Sequence, residues 1–179
     1  MTDTTHEAQR ARHKKAVGWS AFAAAEPAFA ARVERRFGAY GHHVLATLRA
    51  DGSPRLSGLE ADFRDGELWL GMMPGSRKAL DLRRDPRFAL HANPGPGTDM
   101  PDGDVRVAGR AVEVTDPEVL GWYADGAATP LPFHLFRAEL TEVVRTHVED
   151  PHIVLETWRP GAGLRTLRRG NDDAPATVD

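Results

Sequence analysis

The spacing of apolar residues along the chain changes from a helical period to a strand period near Gly41. Between Ser20 and Phe37, apolar residues recur three or four positions apart, which predicts an amphipathic helix. Ser20 is the predicted N-cap, and Pro27 predicts a bend or a restart because proline has no amide hydrogen to donate. From Gly41 onwards the pattern is typical of short strands.

Two Asp-Gly pairs divide the sequence that follows, HHVLATLRADGSPRLSGLEADFRDGELWLGM, into three strand-like segments. Because glycine adopts the positive φ of tight turns, these pairs predict an antiparallel meander of three strands. A short helix is predicted from Ser76, its N-cap, to Arg84, and Asp85-Pro86 ends it before another strand, RFALHA. The loop NPGPGTDMPDG that comes next is too rich in glycine and proline to be regular.

The second half of the chain adds further strands and one helix. DVRVAGRAVEV predicts a strand with a bulge at Gly109, and DPEVLGWYA predicts a helix with Asp116 as its cap and Pro117 in its first position. FHLFRAELTEVVRTHVE, HIVLETWRP and GLRTLRR predict two or three more strands. Because alternating strand and helix units are missing, the fold is predicted to be mainly β with a few α-helices, a small antiparallel barrel rather than a doubly wound sheet.

The two ends of the chain differ in composition from the middle. Residues 1–19 begin with a polar run and are predicted to form a flexible N-terminal segment, and residues 171–179 are predicted to form an acidic flexible tail. Residues 20–170 are predicted to form a single domain, since 179 residues suffice for one core of ordinary size.

The charge and the cysteine count narrow the classes of partner. Charged residues make up 27% of the chain and the net charge is -3, so the basic excess typical of nucleic-acid-binding domains is missing and no nucleic acid partner is expected. The chain has no cysteine, which excludes disulfides and thiolate zinc sites and fits a reducing compartment. No segment has the length of a membrane span or the order of a signal peptide, so no membrane partner and a cytoplasmic location are expected.

Several common catalytic and metal motifs are missing. The eight histidines do not form HExxH or another compact ligand pattern, and His42 and His43 are adjacent, so on a strand they point to opposite faces. No metal site is therefore predicted. The glycine-rich stretches NPGPGT and PGAG lack the Lys-Ser/Thr of a phosphate loop, and GxSxG is missing, which disfavours nucleoside triphosphatases and hydrolases of that type.

Three groups of residues are candidates for ligand binding. Ser76, Arg77 and Lys78 lie at a predicted helix start, where free amides and the helix dipole favour a phosphate or carboxylate; the alternative is a capped helix with solvated cations. Arg55 and Ser57 alternate onto one face of a strand and would reach a ligand at a barrel rim, or they are simply exposed at the strand end. In a third group, Trp158 would supply a flat apolar wall with Arg168 across a hairpin; the alternative is a core tryptophan beside a basic edge strand.

The order of these features resembles the pyridoxamine 5'-phosphate oxidase-like flavin-binding split-barrel superfamily. The resemblance rests on the leading helix, VLATLRADGSPRLSGLEADF, GELWLGM, GSRKALDLRRDPRFAL and VRVAGRAVEV, and it spans roughly Phe37 to Val114, with a looser continuation through VLETWRPGAGLRTLRR. It implies a six-stranded antiparallel split β-barrel of the FMN-binding type. It also implies a homodimer with the cofactor at the subunit interface.

The resemblance assigns cofactor-binding roles by position. Arg55 matches the family's phosphate-binding arginine, and Leu56 and Ser57 match residues alongside the flavin ring. Met72 falls where the family often has a threonine or serine near the phosphate. The remaining matches are Ser76, Arg77 and Lys78 in the phosphate clamp, and Trp158 and Arg168 as later contacts that the partner subunit commonly contributes.

Three departures separate the chain from the true pyridoxamine phosphate oxidase. Met72 cannot donate a hydrogen bond, Asp104 stands where the oxidase has a glutamine, and LRTLRR lacks the histidine of the oxidase's Arg-x-His pair. A branch that uses the deazaflavin coenzyme F-420 is also similar, since Arg83 and Arg84 would suit that cofactor's anionic tail.

The resemblance implies an FMN-dependent oxidoreductase that transfers hydride to or from an unknown small organic substrate. The alternatives are a deazaflavin-dependent reductase, a non-catalytic flavin- or haem-binding module, and a degenerate member with an empty phosphate site. No catalytic side chain is assigned. His91 and His134 are candidates as proton donors, and a structural role is the alternative for each.

Overall fold

The computed structural model describes residues 15–96, 103–128, 130, 132–170 and 175–178, which contain four helices and ten strands. The helices are α1 (Trp19–Ala25), α2 (Pro27–Ala39), α3 (Arg77–Arg84) and α4 (Pro117–Ala127). The strands are β1 (His43–Leu48), β2 (Pro54–Leu59), β3 (Ala61–Arg64), β4 (Glu67–Met72), β5 (Arg87–His91), β6 (Asp104–Val114), β7 (His134–Glu149), β8 (His152–Arg159), β9 (Gly163–Arg169) and β10 (Thr177–Val178).

The strands form one antiparallel sheet that branches at β7. The main order is β10-β9-β8-β7-β6-β5-β1-β2, while β4 pairs with both β3 and β7. One edge of β7 follows β6 along most of its length. The other edge pairs with β4 at residues 134–137 and with β8 at residues 143–149, so the sheet splits there into two arms.

At Glu60 the chain leaves one strand pair and enters another. The two strands that flank it are consecutive in the chain, but β2 pairs with β1 whereas β3 pairs with β4. Within the described residues no ladder joins β2 to β3 or β4, so the sheet is not closed. This confirms the predicted mainly β split barrel, although it has ten strands rather than six. The predicted three-stranded meander is wrong, because four strands in two separate hairpins occupy that region.

The helix ends follow from their capping residues, with one exception. Pro27 occupies the first turn of α2, and Glu26 separates α1 from α2, as the proline predicted. The N-cap of α1 is Gly18, so the prediction of Ser20 as the cap is wrong. Asp116 caps α4 as predicted: its Oδ1 accepts a hydrogen bond of 2.9 Å from the amide of Glu118.

The predicted bulge at Gly109 is confirmed. The register between β6 and β7 shifts between Ala108 and Gly109, which bends the long β6 strand around the barrel. A Cβ atom at Gly109 would lie 1.9 Å from the carbonyl oxygen of Glu139, so no larger residue fits without a backbone shift.

The main core lies between the first two helices and the inner face of the sheet. It contains Phe22, Phe29, Val33 and Phe37 from α1 and α2, which pack with barrel residues that include Leu45, Leu70, Leu140 and Trp158. A smaller cluster of Trp69, Tyr123 and Leu135 lies under α4. The inner face is therefore filled by side chains. Where α3 meets β2, the buried carboxylate of Asp81 bonds to Arg55.

Parts of both predicted flexible ends are ordered against the sheet. Val17 forms a bridge with Leu140, with N–O distances of 3.1 and 2.7 Å, and β10 pairs with β9. Residues 1–14, 171–174 and 179 lie outside the described residues, as do residues 97–102 of the predicted irregular loop. The proposed division at residues 19 and 171 therefore stays a prediction. None of the described helices is long and apolar enough to cross a membrane.

Candidate anion-binding site between β2 and α3

Helix α3 lies along β2 and runs in the opposite direction. Near the start of α3, Lys78 Nζ donates a hydrogen bond of 2.5 Å to the carbonyl oxygen of Gly58. One turn later, Arg55 Nε on β2 donates a hydrogen bond of 2.6 Å to Asp81 Oδ2. These contacts bring the predicted basic helix start and the predicted strand arginine into one region of the surface.

A tight turn leads into α3. The amide of Ser76 donates to the carbonyl oxygen of Met73 at 3.2 Å, and Pro74 and Gly75 are the two central residues. Gly75 has a φ of 67°, and proline followed by a glycine of positive φ is the signature of a type II turn. Ser76 is the N-cap as predicted, but its side chain makes no capping hydrogen bond. The first amides of α3 therefore remain available to a ligand.

Asp81 is the buried acceptor at the centre of this region, and the sequence analysis missed it. Its carboxylate accepts hydrogen bonds from Thr47 Oγ1 at 3.0 Å, from Arg55 and from Arg84 at 3.1 Å. Burial on its own would raise the pKa of Asp81, but the hydrogen bonds from Arg55, Arg84 and Thr47 lower it below the ordinary value. Asp81 is thus an ionised carboxylate that holds Arg55 in place.

Beside Asp81 the surface forms an open pocket of about 390 Å³. Its charged lining residues are Arg49, Arg55, Arg77 and Arg84, with Asp51 and Asp81, so positive charge predominates. Three of these arginines have protein partners: Arg55 and Arg84 bond to Asp81, and Arg49 donates to the carbonyl oxygen of Pro54 at 3.1 Å. Arg77 has no such partner among the described residues, so its guanidinium is available for an anion.

Two hydroxyl groups of the predicted site are buried without a hydrogen-bond partner among the described residues. They are Ser57 Oγ on β2 and Ser76 Oγ at the start of α3. Lys78 links these two elements through Gly58. Since buried polar atoms are normally satisfied, each hydroxyl retains unused hydrogen-bonding capacity.

Lys78 is less available than Arg77. Besides its bond to Gly58, its pKa is lowered from the ordinary value by burial. Its ammonium group therefore ties α3 to β2 in the structure. The sequence pattern did not separate this lysine from the arginine before it.

The structure places Leu56 and Met72 away from this pocket. Leu56 is 71% exposed and lies on the opposite face of β2 from Arg55 and Ser57, as strand alternation requires. Met72 is buried in the core and lines a second, mostly apolar pocket of about 380 Å³ between β4 and α4. Other residues of this second pocket are Glu60, Met73, Pro74, Tyr123, Pro130, Pro132 and Phe133.

Trp158 and Arg168 lie in the other arm of the sheet. Trp158 is buried in the core, with its ring centroid 4.6 Å from that of Phe22. Arg168 on β9 pairs with Val154, and its Nε lies 3.7 Å from a carboxylate oxygen of Glu149. Neither residue lines the cationic pocket of the same chain.

The two candidate histidines each face a carboxylate. His91 Nε2 lies 3.0 Å from Oδ2 of Asp104, the residue that stands in place of the oxidase glutamine. His134 Nδ1 lies 3.1 Å from Glu113 Oε1, and its Nε2 accepts a hydrogen bond of 3.1 Å from the amide of Gly75. His134 therefore contacts the turn that precedes α3. In the part of the chain that the structure describes, no group of three or more His, Asp or Glu side chains is placed to hold a metal ion.

One sequence signal points to the missed residue Asp81. Asp81 lies four positions after Arg77 and three before Arg84, so these three residues share one side of a short helix. In the structure Asp81 is buried, as Leu82 and Ala79 are. An acidic residue at a buried position of an otherwise basic helix predicts an internal partner for the arginines.

Comparison with known proteins agrees with this architecture. Residues 40–147 match the family model described as pyridoxamine 5'-phosphate oxidase. Among solved structures, the chain is similar to PhzG from Burkholderia lata 383, determined in complex with tetrahydrophenazine-1-carboxylic acid, with 17% identity over 80% of this chain and 87% of PhzG and a TM-score of 0.53.

Two further solved structures are similar in fold. General Stress Protein 26 from Bacillus anthracis str. Sterne has 16% identity over 63% of this chain and 89% of its own, with a TM-score of 0.50. A nimC/nimA family protein from Clostridium acetobutylicum has 11% identity over 83% and 89%, also with a TM-score of 0.50. No curated protein matches the sequence. At these levels of identity the structural similarities establish the fold alone.

Proposed function

Because the chain belongs to the pyridoxamine 5'-phosphate oxidase-like superfamily, we propose that it binds a flavin-type cofactor, with FMN as the first choice, through the pocket between β2 and α3. The observation that carries the proposal is the available guanidinium of Arg77 in the cationic pocket. The buried, unpartnered hydroxyls of Ser57 on β2 and Ser76 at the start of α3 support it, because they lie on the two elements that flank the pocket. These are the donors that a phosphate requires, and the first amides of α3 add more.

The donor set suits a phosphate better than a neutral ligand. Arg77 supplies a planar guanidinium that bonds two phosphate oxygens at once, and Arg55 lies in the same pocket. Met72 adds no donor, because its side chain is an apolar part of the core. In this proposal Ser76 and Arg77 hold the phosphate, while Lys78 keeps α3 against β2.

A bound flavin would supply hydride transfer, and the protein would therefore be an oxidoreductase acting on a small organic substrate. The chain's own contribution is to bind and orient the cofactor and to exclude water from the ring. No side chain is assigned as an acid or base.

One observation supports the deazaflavin coenzyme F-420 as a second candidate. The cationic pocket continues from Arg77 along α3 to Arg84 and across to Arg49, which line it while also bonding to Asp81 and Pro54, so it is longer than one phosphate needs. A cofactor with a phosphate and a carboxylate-rich tail would use that length. Arg83 does not contribute to it, because both oxygens of Glu113 hold its guanidinium.

The proposal includes a homodimer and a cytoplasmic location. Leu56, Val44, Ala46 and Ala89 share the outer face of three neighbouring strands, and Leu56 and Val44 are 71% and 40% exposed. A second copy of the chain on this face would remove that apolar surface from water. The partner subunit would then supply Arg168 to the cofactor, as the resemblance implies, whereas Trp158 is buried in the core of its own chain. The lack of cysteine fits the cytoplasm.

The test is a titration of the purified protein with FMN and with the deazaflavin, followed by absorbance and fluorescence. We expect one of them to bind, and Arg77→Ala to weaken that binding by about 1.5–3 kcal/mol, roughly tenfold or more. Arg35→Ala removes an exposed arginine of α2 and serves as the matched control, with unchanged affinity. Binding of neither cofactor, or equal affinities of Arg77→Ala and the wild type, would contradict the proposal.

Turnover needs a separate measurement. Reduction of the bound cofactor by a nicotinamide, or its reoxidation by a candidate substrate, would identify an enzyme. A cofactor that binds but is neither reduced nor reoxidised by any of these compounds would instead favour the non-catalytic module. Binding of haem in place of a flavin would do the same.

A further inference from the structure

His134 is a mostly buried polar group outside the cationic pocket. It lies at the start of β7, and its imidazole bridges Glu113 on β6 and the amide of Gly75. Its side chain is 13% exposed, and that of Glu113 is 22% exposed. His134 therefore contacts the turn that leads into α3, and Glu113 contacts His134.

The neighbours of His134 determine which of its nitrogens carries the proton. Arg83 binds both carboxylate oxygens of Glu113, at 2.8 Å and 2.7 Å. Hydrogen bonds from Arg83 lower the pKa of Glu113, against the opposing effect of burial, and His134 lowers it further. Glu113 is therefore an anion that only accepts, so Nδ1 of His134 must donate to it. Gly75 contributes an N–H, so Nε2 must be unprotonated.

This arrangement fixes the turn before α3. In a type II turn the amide of the third residue takes no part in the turn's own hydrogen bond, and here that amide belongs to Gly75. The lone pair on Nε2 of His134 binds it from outside. Through Glu113 the same histidine is also connected to Arg83, near the other end of α3.

We propose that His134 is a positioning residue for the anion site: as the neutral Nδ1–H tautomer held by Glu113, it anchors Gly75 and so aims Ser76 and the first amides of α3 at the cofactor's phosphate. This inference rests on the proposed function for the identity of the ligand. The anchoring of the turn does not depend on the ligand. Protonation of His134 places an N–H against the N–H of Gly75 and releases the turn.

Few charged groups surround His134. Glu113 faces it from β6, with Arg83 of α3 behind that carboxylate, and its partner on β4, Met72, is uncharged. No other charged side chain contacts the imidazole among the described residues. A pH effect that disappears when His134 is replaced is therefore assigned to this histidine.

The first test needs no cofactor. Nitrogen-15 NMR of histidine-labelled protein at about pH 8, where an ordinary histidine is neutral, should show the Nδ1–H tautomer for His134. The signal is assigned by its loss in His134→Gln. The protection of the Gly75 amide, measured relative to the intrinsic exchange rate at each pH, should be high at that pH and should fall once His134 is protonated. An Nε2–H tautomer, or weak protection of Gly75 at both pH values, would overturn the proposal.

Two variants distinguish the effect of the hydrogen bond to Glu113 from that of the hydrogen bond to Gly75. Glutamine places its amide near the position of Nε2, so His134→Gln keeps an acceptor for Gly75. Asparagine places its amide near Nδ1, so His134→Asn reaches Glu113 but not Gly75. We expect His134→Gln to bind FMN within about twofold of the wild type, and His134→Asn to bind it about tenfold more weakly, which corresponds to 1.4 kcal/mol.

The pH profile distinguishes positioning from a purely structural role. The affinity of the wild type for FMN should fall with pH where the nitrogen-15 signal of His134 shows that the imidazole gains its second proton, and His134→Gln should lack that fall, while the phosphate's own ionisation near pH 6 affects both proteins alike. Equal profiles, or equal affinities of the Asn and Gln variants, would overturn the proposal. If the wild type binds neither FMN nor the deazaflavin, the proposed function fails. Gly75 exchange in the two variants then decides whether His134 anchors the turn.

Discussion

Asp81 determines how much positive charge the anion pocket presents. Its buried carboxylate accepts hydrogen bonds from Arg55, Arg84 and Thr47. Asp81→Asn removes that charge while keeping the shape, so two arginines lose an ionic partner and Arg55 is released towards the pocket. We expect the free energy of unfolding to fall by about 1.5–3 kcal/mol. We also expect FMN to bind about three- to tenfold more tightly, up to about 1.4 kcal/mol.

Urea unfolding and FMN titration measure the two effects, and Asp51→Asn is the control. Asp51 lines the same pocket but is exposed and bonds only to Ser53 among the described residues, so its replacement should leave stability unchanged. Because the pKa of Asp81 is lowered, the stability difference between wild type and Asp81→Asn should persist above the ordinary aspartate range. It should shrink as the pH falls through that lowered pKa. A more stable Asp81→Asn variant would contradict this account of the pocket.

The sequence predicted the cations of this site better than it predicted their partners. A helix start sufficed to nominate Ser76 and Arg77, and alternation along a strand sufficed to nominate Arg55. Which cation is available is decided by long-range contacts: Arg55 reaches Asp81, 26 residues away, and Lys78 reaches Gly58, 20 residues away. No local sequence pattern indicates those pairings. Only the structure shows which cations bond to protein groups and which remain available to a ligand.

At the scale of elements, the β6–β7 pair depends on a single glycine. Gly109 lies at the bulge, where a Cβ atom would meet the carbonyl oxygen of Glu139 at 1.9 Å. Gly109→Ala must push the two strands apart, so we expect a loss of about 1–3 kcal/mol in the free energy of unfolding. Gly58→Ala is the matched control, because a Cβ atom there meets nothing within 4 Å. Thermal and urea unfolding would compare the two; equal stabilities would show that the bulge tolerates a side chain.

The element boundaries that the sequence predicted are those with a local chemical cause. Pro27 separates α1 from α2, Asp116 caps α4, and Gly109 marks the bulge. The break at Glu60 was missed, because neither proline nor glycine marks it and the residues on both sides continue in strand conformation. There the change of partner from β1 to β4 follows from the curvature of the whole barrel.

At the scale of the whole molecule, the outer face of β1, β2 and β5 exposes apolar side chains that a second copy of the chain would cover. Leu56 is its most exposed large side chain, at 71%, so Leu56→Glu should place a charge in the proposed dimer interface. We expect the wild type to sediment as a dimer at micromolar concentration and Leu56→Glu to sediment as a monomer. Met73→Glu is the control, since Met73 is 77% exposed but lies in the turn before α3. A monomeric wild type would contradict the proposed dimer.

The same variant tests whether the cofactor site is shared between subunits. Trp158 is packed against Phe22 and Arg168 lies in the β8–β9 arm, so neither reaches the cationic pocket of its own chain. If the partner's Arg168 completes the site, monomeric Leu56→Glu should bind FMN about tenfold more weakly, by about 1.4 kcal/mol. Arg168→Ala should weaken FMN binding in the wild-type dimer, and it should have no further effect in the monomeric Leu56→Glu background. If the monomer binds FMN as tightly as the dimer does, the pocket between β2 and α3 is sufficient, and Trp158 and Arg168 are structural residues of the sheet's second arm.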